Sequence, residues 1–180
     1  MAGERSDAEA DRGGAPARAS LRVEIARAPG SGDLPLPSRA TTGSSGYDLR
    51  AAVESDVAIA AGGRALIPTG FSIAVPRGYE AQIRPRSGLA LEHGIVLPNA
   101  PGTIDADYRG ELKVIVMNAG ETSFTVRRGD RIAQLVIAPV VSAEWEEVPL
   151  LGATDRGAGG FGHSGRGTSG AGSGGSEGRK

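Results

Sequence analysis

The strongest constraint on this chain is a succession of short apolar runs between residues 65 and 137, closed one after another by turn-forming residues. Ala65-Leu-Ile-Pro-Thr69 and Phe71-Ser-Ile-Ala-Val75 flank Gly70, and similar runs follow at 79–83, 112–117, 123–126 and 132–137. Pro76-Arg-Gly78, Asn118-Ala-Gly120 and Arg128-Gly-Asp130 punctuate them. Runs this short cannot present a helical stripe, but they fit buried strands bounded by turns. Residues 21–25 alternate apolar and polar, the period of a half-buried strand. Many short strands at close spacing predict an all-β domain: a sandwich, a jelly roll or a barrel. One short helix is expected over Ser87 to His93. Ser87 would cap it, Leu89 and Leu91 would supply apolar contacts, and Gly94 would end it. About two turns cannot stand alone, so packing must hold them.

Composition divides the 180 residues into parts. Residues 1–19 mix Ala, Gly, Asp, Glu and Arg without periodicity and read as a disordered arm. Residues 20–150 suffice for one compact domain. Residues 151–180 hold 12 of the 29 glycines, four in each block of ten, so 151–165 reads as a flexible segment and 166–180 as a disordered tail. The absence of cysteine excludes disulfide scaffolds, thiolate-bound metal and thiol catalysis. Two histidines leave little for a His-rich metal cage. Twenty basic against 21 acidic residues argue against a nucleic-acid binder relying on bulk charge. No apolar run reaches the ~18 residues of a membrane helix. The acids Glu4, Asp7, Glu9 and Asp11 do not suit a transit peptide. A soluble, cytoplasmic protein is the expectation, with no nucleic-acid or membrane partner.

Several stretches carry groups suited to chemistry. Arg84-Pro-Arg-Ser-Gly88 lies between a strand and the expected helix. Arg86 offers a fork for phosphate oxygens, Ser87 a hydroxyl, and Gly88 room for a ligand near the backbone. A capped turn with a surface arginine fits the same residues. In Gly102-Thr-Ile-Asp-Ala-Asp-Tyr-Arg-Gly-Glu111, an extended backbone would put Asp105 and Asp107 on one face, where either could orient a water. Asn99 is a donor and acceptor suited to a base edge, and Tyr108 a flat face for a sugar or base. Acidic turn residues account for this stretch equally well. Asp48 follows Gly46-Tyr47, and Gln134 interrupts an apolar strand; both also fit ordinary turn and surface positions. Arg156, Phe161 and Ser164 place a cation, an aromatic plate and a hydroxyl in a glycine-rich segment able to fold over a ligand.

Together these stretches resemble the trimeric all-β deoxyuridine triphosphatases, the dUTP nucleotidohydrolases. Five motifs appear in order. They are Ala40-Thr-Thr-Gly-Ser-Ser-Gly-Tyr-Asp-Leu49, Pro85-Arg-Ser-Gly-Leu-Ala90, Pro98-Asn-Ala-Pro-Gly-Thr-Ile-Asp-Ala-Asp-Tyr-Arg-Gly110, Gly129-Asp-Arg-Ile-Ala-Gln-Leu135 and Arg156-Gly-Ala-Gly-Gly-Phe-Gly-His-Ser-Gly165. The resemblance spans residues 21–165 and implies a distorted jelly-roll barrel with a glycine-rich C-terminal arm. It implies hydrolysis of dUTP to dUMP and pyrophosphate by water attack on the α-phosphorus. Asp105 would activate the water. Asn99 and its hairpin backbone, with Thr103 and Ile104, would hold the uracil end, and Tyr108 would pack beneath the deoxyribose. Arg86, Ser87, Gly88 and Gln134 would bind phosphates, with Asp48 supporting the phosphate and metal region. Arg156 and Ser164 would grip the terminal phosphate while Phe161 and Gly162 close on the base. Mg²⁺ would be held mainly by substrate phosphates and water, as its coordination chemistry permits. The resemblance also implies a homotrimer with shared sites.

The residues leave three competitors. A dCTP deaminase of the same fold would spell its phosphate motif differently and need a glutamate near the base. A non-catalytic relative could dispense with Asp105. A hydrolase acting on every dNTP fits poorly with the tight 98–102 loop, whose rigid backbone can exclude the thymine methyl.

Overall fold

The computed structural model describes residues 20–159. Eleven strands and one helix are found among them. In chain order the strands are β1 Glu24–Arg27, β2 Tyr47–Arg50, β3 Val57–Ile59, β4 Arg64–Pro68, β5 Phe71–Ala74 and β6 Tyr79–Arg84. The helix α1, Ser87–His93, comes next. Then follow β7 Ile95–Val96, β8 Gly102–Ile104, β9 Lys113–Asn118, β10 Phe124–Val126 and β11 Arg131–Pro139. The expected all-β class with one short helix is what the structure has. No helix among the described residues is long and apolar enough to cross a membrane. The chain divides between Ser142 and Ala143 into two compact units.

Four antiparallel sheets build the first unit: β2-β11-β6-β8, β4-β9-β7, β1-β5 and β10-β3. Alternation decides which side chains face inward. In β9 the odd positions are open or half-buried, while Val114, Val116 and Asn118 are buried. Leu49, Ile67, Ala81, Ile83, Ile95, Leu112, Val126 and Leu135 join Val114 and Val116 in one core cluster drawn from all the larger sheets. The one fully buried amide, Asn118, is satisfied: its Nδ2 donates to the carbonyls of Ile59 (2.9 Å) and Thr122 (2.8 Å), and its Oδ1 accepts the Gly120 N–H (3.0 Å). That holds the 119–122 loop where α1 ends. Gly94 terminates α1 in the left-handed region (φ 66°), and a Cβ there would strike the backbone of Gly120.

Several sequence expectations shift. The alternating 21–25 stretch is not a half-buried strand; β1 begins at Glu24 and is exposed throughout, because it pairs only with β5 at an edge. Ser87 is the first helical residue, not the cap. Arg86 takes the cap position with extended backbone, and no side chain caps the helix. Leu89 packs on the core, but Leu91 is 88% exposed, because it falls on the opposite side of so short a helix.

The turn before β11 is stapled from a distance. Arg128 donates to Asp33 Oδ1 (2.6 Å) and Oδ2 (2.9 Å) and to the carbonyls of Gly30 (2.7 Å) and Val53 (3.2 Å). Gly129 N–H bonds the Ala51 carbonyl and Ala51 N–H the Asp130 carbonyl, each at 2.8 Å. The hydrogen bond from Arg128, helped by its charge, holds the Asp33 carboxyl below its usual value of 3.8. A lowered folded-state value stabilises the fold above the unfolded pKa and is lost as pH falls through the folded one. Asp33→Asn is therefore less stable than the parent at pH 7, and the gap closes in melting curves taken below about pH 4. A gap that does not change with pH would contradict the ion pair's role.

Candidate active site

The first motif leads into β2, the fourth forms β11 and the second follows β6, so the sheet order β2-β11-β6 brings them together. Register completes the arrangement. Gln134 faces Asp48 on one side and Arg84 on the other. The Gln134 Nε2 donates to the Pro85 carbonyl (2.9 Å), just before the helix. Asp48, whose N–H bonds the Ser38 carbonyl at 2.9 Å, holds its carboxylate between two guanidinium groups. Arg86 Nε lies 3.3 Å from Oδ1 and Arg131 Nη1 3.2 Å from Oδ2. Arg86 Nη1 also donates to the Arg131 carbonyl (3.1 Å). The Asp48 carboxylate thus sets the pose of Arg86. Two cations on one carboxylate leave a positive surface suited to an anion.

Asp48, Arg86 and Gln134 line a cleft of about 210 Å³ with Ser87, Gly88 and Gly46. The Ser87 hydroxyl is not used in a cap, and both Ser87 and Gly88 are exposed. Gly46 leaves room for this pose of Gln134: a Cβ there would overlap the carboxamide. Larger clefts of about 740 and 540 Å³ lie elsewhere; the first adjoins Asp107 and Arg109, and the second is lined mainly by apolar side chains such as Leu36 and Ile137. The smaller cleft is the candidate because its polar groups converge.

The third motif forms a separate group. Residues 98–102, for which the resemblance implies a hairpin, form a loop passing from β7 in one sheet to β8 in another. Ala100 N–H closes on the Leu97 carbonyl (3.1 Å), and the exposed Asn99 folds over Gly102. Thr103 faces Gln82 in register and is exposed, while Ile104 packs against the core. Asp105 is exposed and opens a turn closed by Tyr108 N–H to its carbonyl (3.1 Å). The expectation that Asp105 and Asp107 share one face of an extended segment therefore fails, because this turn reverses the chain between them. Tyr108 is 43% exposed and donates its hydroxyl to the Glu111 carbonyl (3.0 Å). Its ring lies where a side chain on Gly110 would stand. Arg109, which sequence reasoning passed over, donates to the carbonyls of Ala106 (2.8 Å) and Tyr108 (2.7 Å) of the same turn. Arg131 was also passed over, although it lies inside the fourth motif.

The two groups stand apart. Ile104 pairs with Ala81, so Asp105 follows β8 at the level of Glu80, whereas Gln134 is level with Arg84. Four residues along the strands and two strands across separate Asp105 from Gln134 by about 15–20 Å. In the second unit, Arg156 Nε donates to the Gly159 carbonyl (2.9 Å) within a run of turns. Phe161, Gly162 and Ser164 lie outside the described residues, as do 1–19 and 166–180. Among the described residues, no group of three or more His, Asp or Glu could hold a metal.

A sequence model of the dUTPase family matches residues 33–165. The deoxyuridine 5'-triphosphate nucleotidohydrolase of Caulobacter vibrioides is 54% identical over 149 residues, covering 82% of this chain and 96% of that protein. That of Desulfotalea psychrophila is 57% identical over 132 residues, covering 73% and 88%. The structure of the Staphylococcus bacteriophage 80alpha dUTPase with dUPNHPP superposes with a TM-score of 0.73 at 26% identity, covering 81% of this chain and 99% of that one. A mutant dUTPase from phage phi11 of S. aureus, described with a structural Mg(II) ion, shares the fold at 23% identity and a TM-score of 0.66, covering 74% and 100%. The chain belongs to the dUTPase family, whose jelly-roll-like fold it has.

Because the far end of Gln134 can move, Gly46→Ala should fold normally. It should displace the Gln134 carboxamide, break its bond to Pro85 and lower kcat/KM about tenfold, the effect of one lost hydrogen bond. Steady-state kinetics beside a melting curve check this; parental kinetics would show that the Gln134 pose is immaterial.

Proposed function

We propose that this dUTP diphosphatase works through sites completed between copies of the chain, in a homotrimer. The reaction is dUTP plus water giving dUMP and pyrophosphate. The observation carrying the proposal is the separation of Asp105 from the Asp48–Arg86–Gln134 cleft. A water-activating base about 15–20 Å from Gln134 in the phosphate-binding cleft is too far away to act on an α-phosphorus held there within one chain. A second copy supplying its Asp105 turn to the first copy's cleft removes the conflict. The exposed apolar residues Val141, Trp145, Leu150 and Leu151 support an assembly that covers them; Trp145 is 96% exposed.

In this reading Arg86, Ser87, Gly88 and Gln134 hold the triphosphate. Asn99 and the 98–102 backbone, with Thr103 and Ile104, hold the uracil. Tyr108 lies under the deoxyribose, where a 2′-hydroxyl would clash. Asp105 takes a proton from water as its oxygen bonds the α-phosphorus, and the bond to the bridging oxygen of the leaving pyrophosphate breaks. Catalysis is positioning plus charge neutralisation. Arg156 and Ser164 grip the terminal phosphate and Phe161, with Gly162, closes on the base, the 151–165 segment acting as a lid.

Mg²⁺ fits this cleft as a substrate-borne ion. The Asp48 carboxylate is engaged by two arginines, so it suits the ion's water shell better than direct ligation. When bound, the ion neutralises phosphate charge. The proposal places the enzyme in the cytoplasm, acting on free nucleotide and supplying dUMP for thymidylate synthesis.

Asp105→Asn should bind a non-hydrolysable dUTP analogue like the parent while kcat falls about 10²–10⁴-fold, the usual contribution of a general base. Parental turnover would remove Asp105 from the mechanism. A chain ending after Leu151 should fold and assemble but hydrolyse dUTP poorly; full activity would reduce the rest to a linker. Products from dUTP, dTTP, dCTP and UTP test selectivity, and ammonia from dCTP would point to the deaminase branch.

A further inference from the structure

Tyr108 is held by a residue that none of the five motifs includes. Its hydroxyl donates to the main-chain carbonyl of Glu111 at 3.0 Å. Glu111 is itself tied to a distant turn: its Oε1 accepts the N–H of Gly70 at 2.9 Å, and its Oε2 lies 3.8 Å from Lys113 Nζ. Gly70 has φ 76°, and a Cβ there would strike Ser31 and Ala52, so this donor stands in a closely packed turn. The next residue is clamped to the same turn. The buried Leu112 receives both the N–H (3.1 Å) and hydroxyl (2.7 Å) of Thr69 and donates to the Phe71 carbonyl (2.8 Å).

The carbonyl that receives Tyr108 is therefore fixed from two sides, by a side-chain bond at Glu111 and by main-chain bonds at Leu112. A staple needed only for the β4–β5 turn has no use for a tyrosine hydroxyl on its own carbonyl. Gly110 adds to this, since any side chain there would push the ring away. The chain Gly70 N–H to Glu111 carboxylate to Glu111 carbonyl to Tyr108 hydroxyl sets the height and tilt of an exposed ring.

We infer that Glu111 is a positioning residue for Tyr108 and, through it, a determinant of discrimination between deoxyribonucleotide and ribonucleotide. The inference rests on the reading that Tyr108 lies beneath the sugar. A ring held rigidly leaves no room for a 2′-hydroxyl, whereas a ring free to tilt admits one. Glu111 touches no reacting atom; it acts only through the ring.

The test compares kcat/KM for dUTP and UTP in the full-length parent and in Glu111→Ala, Glu111→Gln, Tyr108→Phe and the Ala/Phe double variant. Glu111→Ala should raise the UTP-to-dUTP ratio about tenfold, the scale of one lost positioning hydrogen bond. Glu111→Gln, whose amide oxygen still accepts from Gly70, should keep the parental ratio. Tyr108→Phe, cutting the same chain at its other end, should match Glu111→Ala, and the double variant should add nothing further. A Glu111→Ala protein with a lowered melting temperature and the parental ratio would overturn the inference. If that variant does not fold, Tyr108→Phe decides, and a parental ratio there overturns it equally. A parent protein that hydrolyses dUTP and UTP alike would instead refute the placement of Tyr108 under the sugar.

Discussion

The antiparallel register of β6 against its two neighbours sets where Asp48, Gln134 and Asp105 stand. On one side β11 aligns Gln134 with Arg84 and carries Asp48 beyond it on β2. On the other side β8 aligns Thr103 with Gln82 and leads Asp105 toward the opposite end. The period of two along each strand fixes which of these side chains face outward. A slip of one residue would turn Gln134 into the core and bring Leu135 out. The core cluster of Ala81, Ile83 and Leu135 opposes that slip, so packing and site geometry are one constraint.

Around that register, charge does the local work. The Asp48 carboxylate is engaged by Arg86 on one oxygen and Arg131 on the other, so it orders two guanidinium groups at once. Arg128 does the corresponding work at the entry to β11, pinning its turn to Asp33 and two carbonyls. The Asp48–Arg86 and Asp33–Arg128 ties both join segments that do not pair directly as strands. They place the second and fourth motifs more firmly than the seven-residue helix could.

Much of this was legible in the sequence. The class followed from short apolar runs and their turns, and the helix from a polar start and Gly94. The strands β2, β3, β7 and β8 were not legible, because two to four residues show too little periodicity. The alternation at 21–25 misled, since an edge strand can alternate without being buried. In the site, the residue types of Asp48, Arg86, Gln134 and Asp105 were readable, and the family resemblance grouped the first three around the phosphates, but spacing alone did not. Nothing in spacing says that Gln134 meets Asp48 while Asp105 stands apart; only register decides that. Glu111 was invisible for the same reason, as its meaning depends on Gly70, 41 residues earlier. Arg131 lies inside the fourth motif, yet its partner Asp48 is 83 residues away and only folding brings it near; Arg109 bonds carbonyls of its own turn, which residue type does not announce.

The central claim is that one chain holds two half-sites and that activity needs a second copy. The most direct measurement mixes two inactive variants, Asp105→Asn and Arg86→Ala, by unfolding and refolding them together. If each site takes Asp105 from one copy and Arg86 from its neighbour, random assembly at equal amounts restores about a quarter of parental activity, since each position is intact in half the copies. A mixture as inactive as its components, with assembly intact, would mean that both residues act within one chain and would contradict the account.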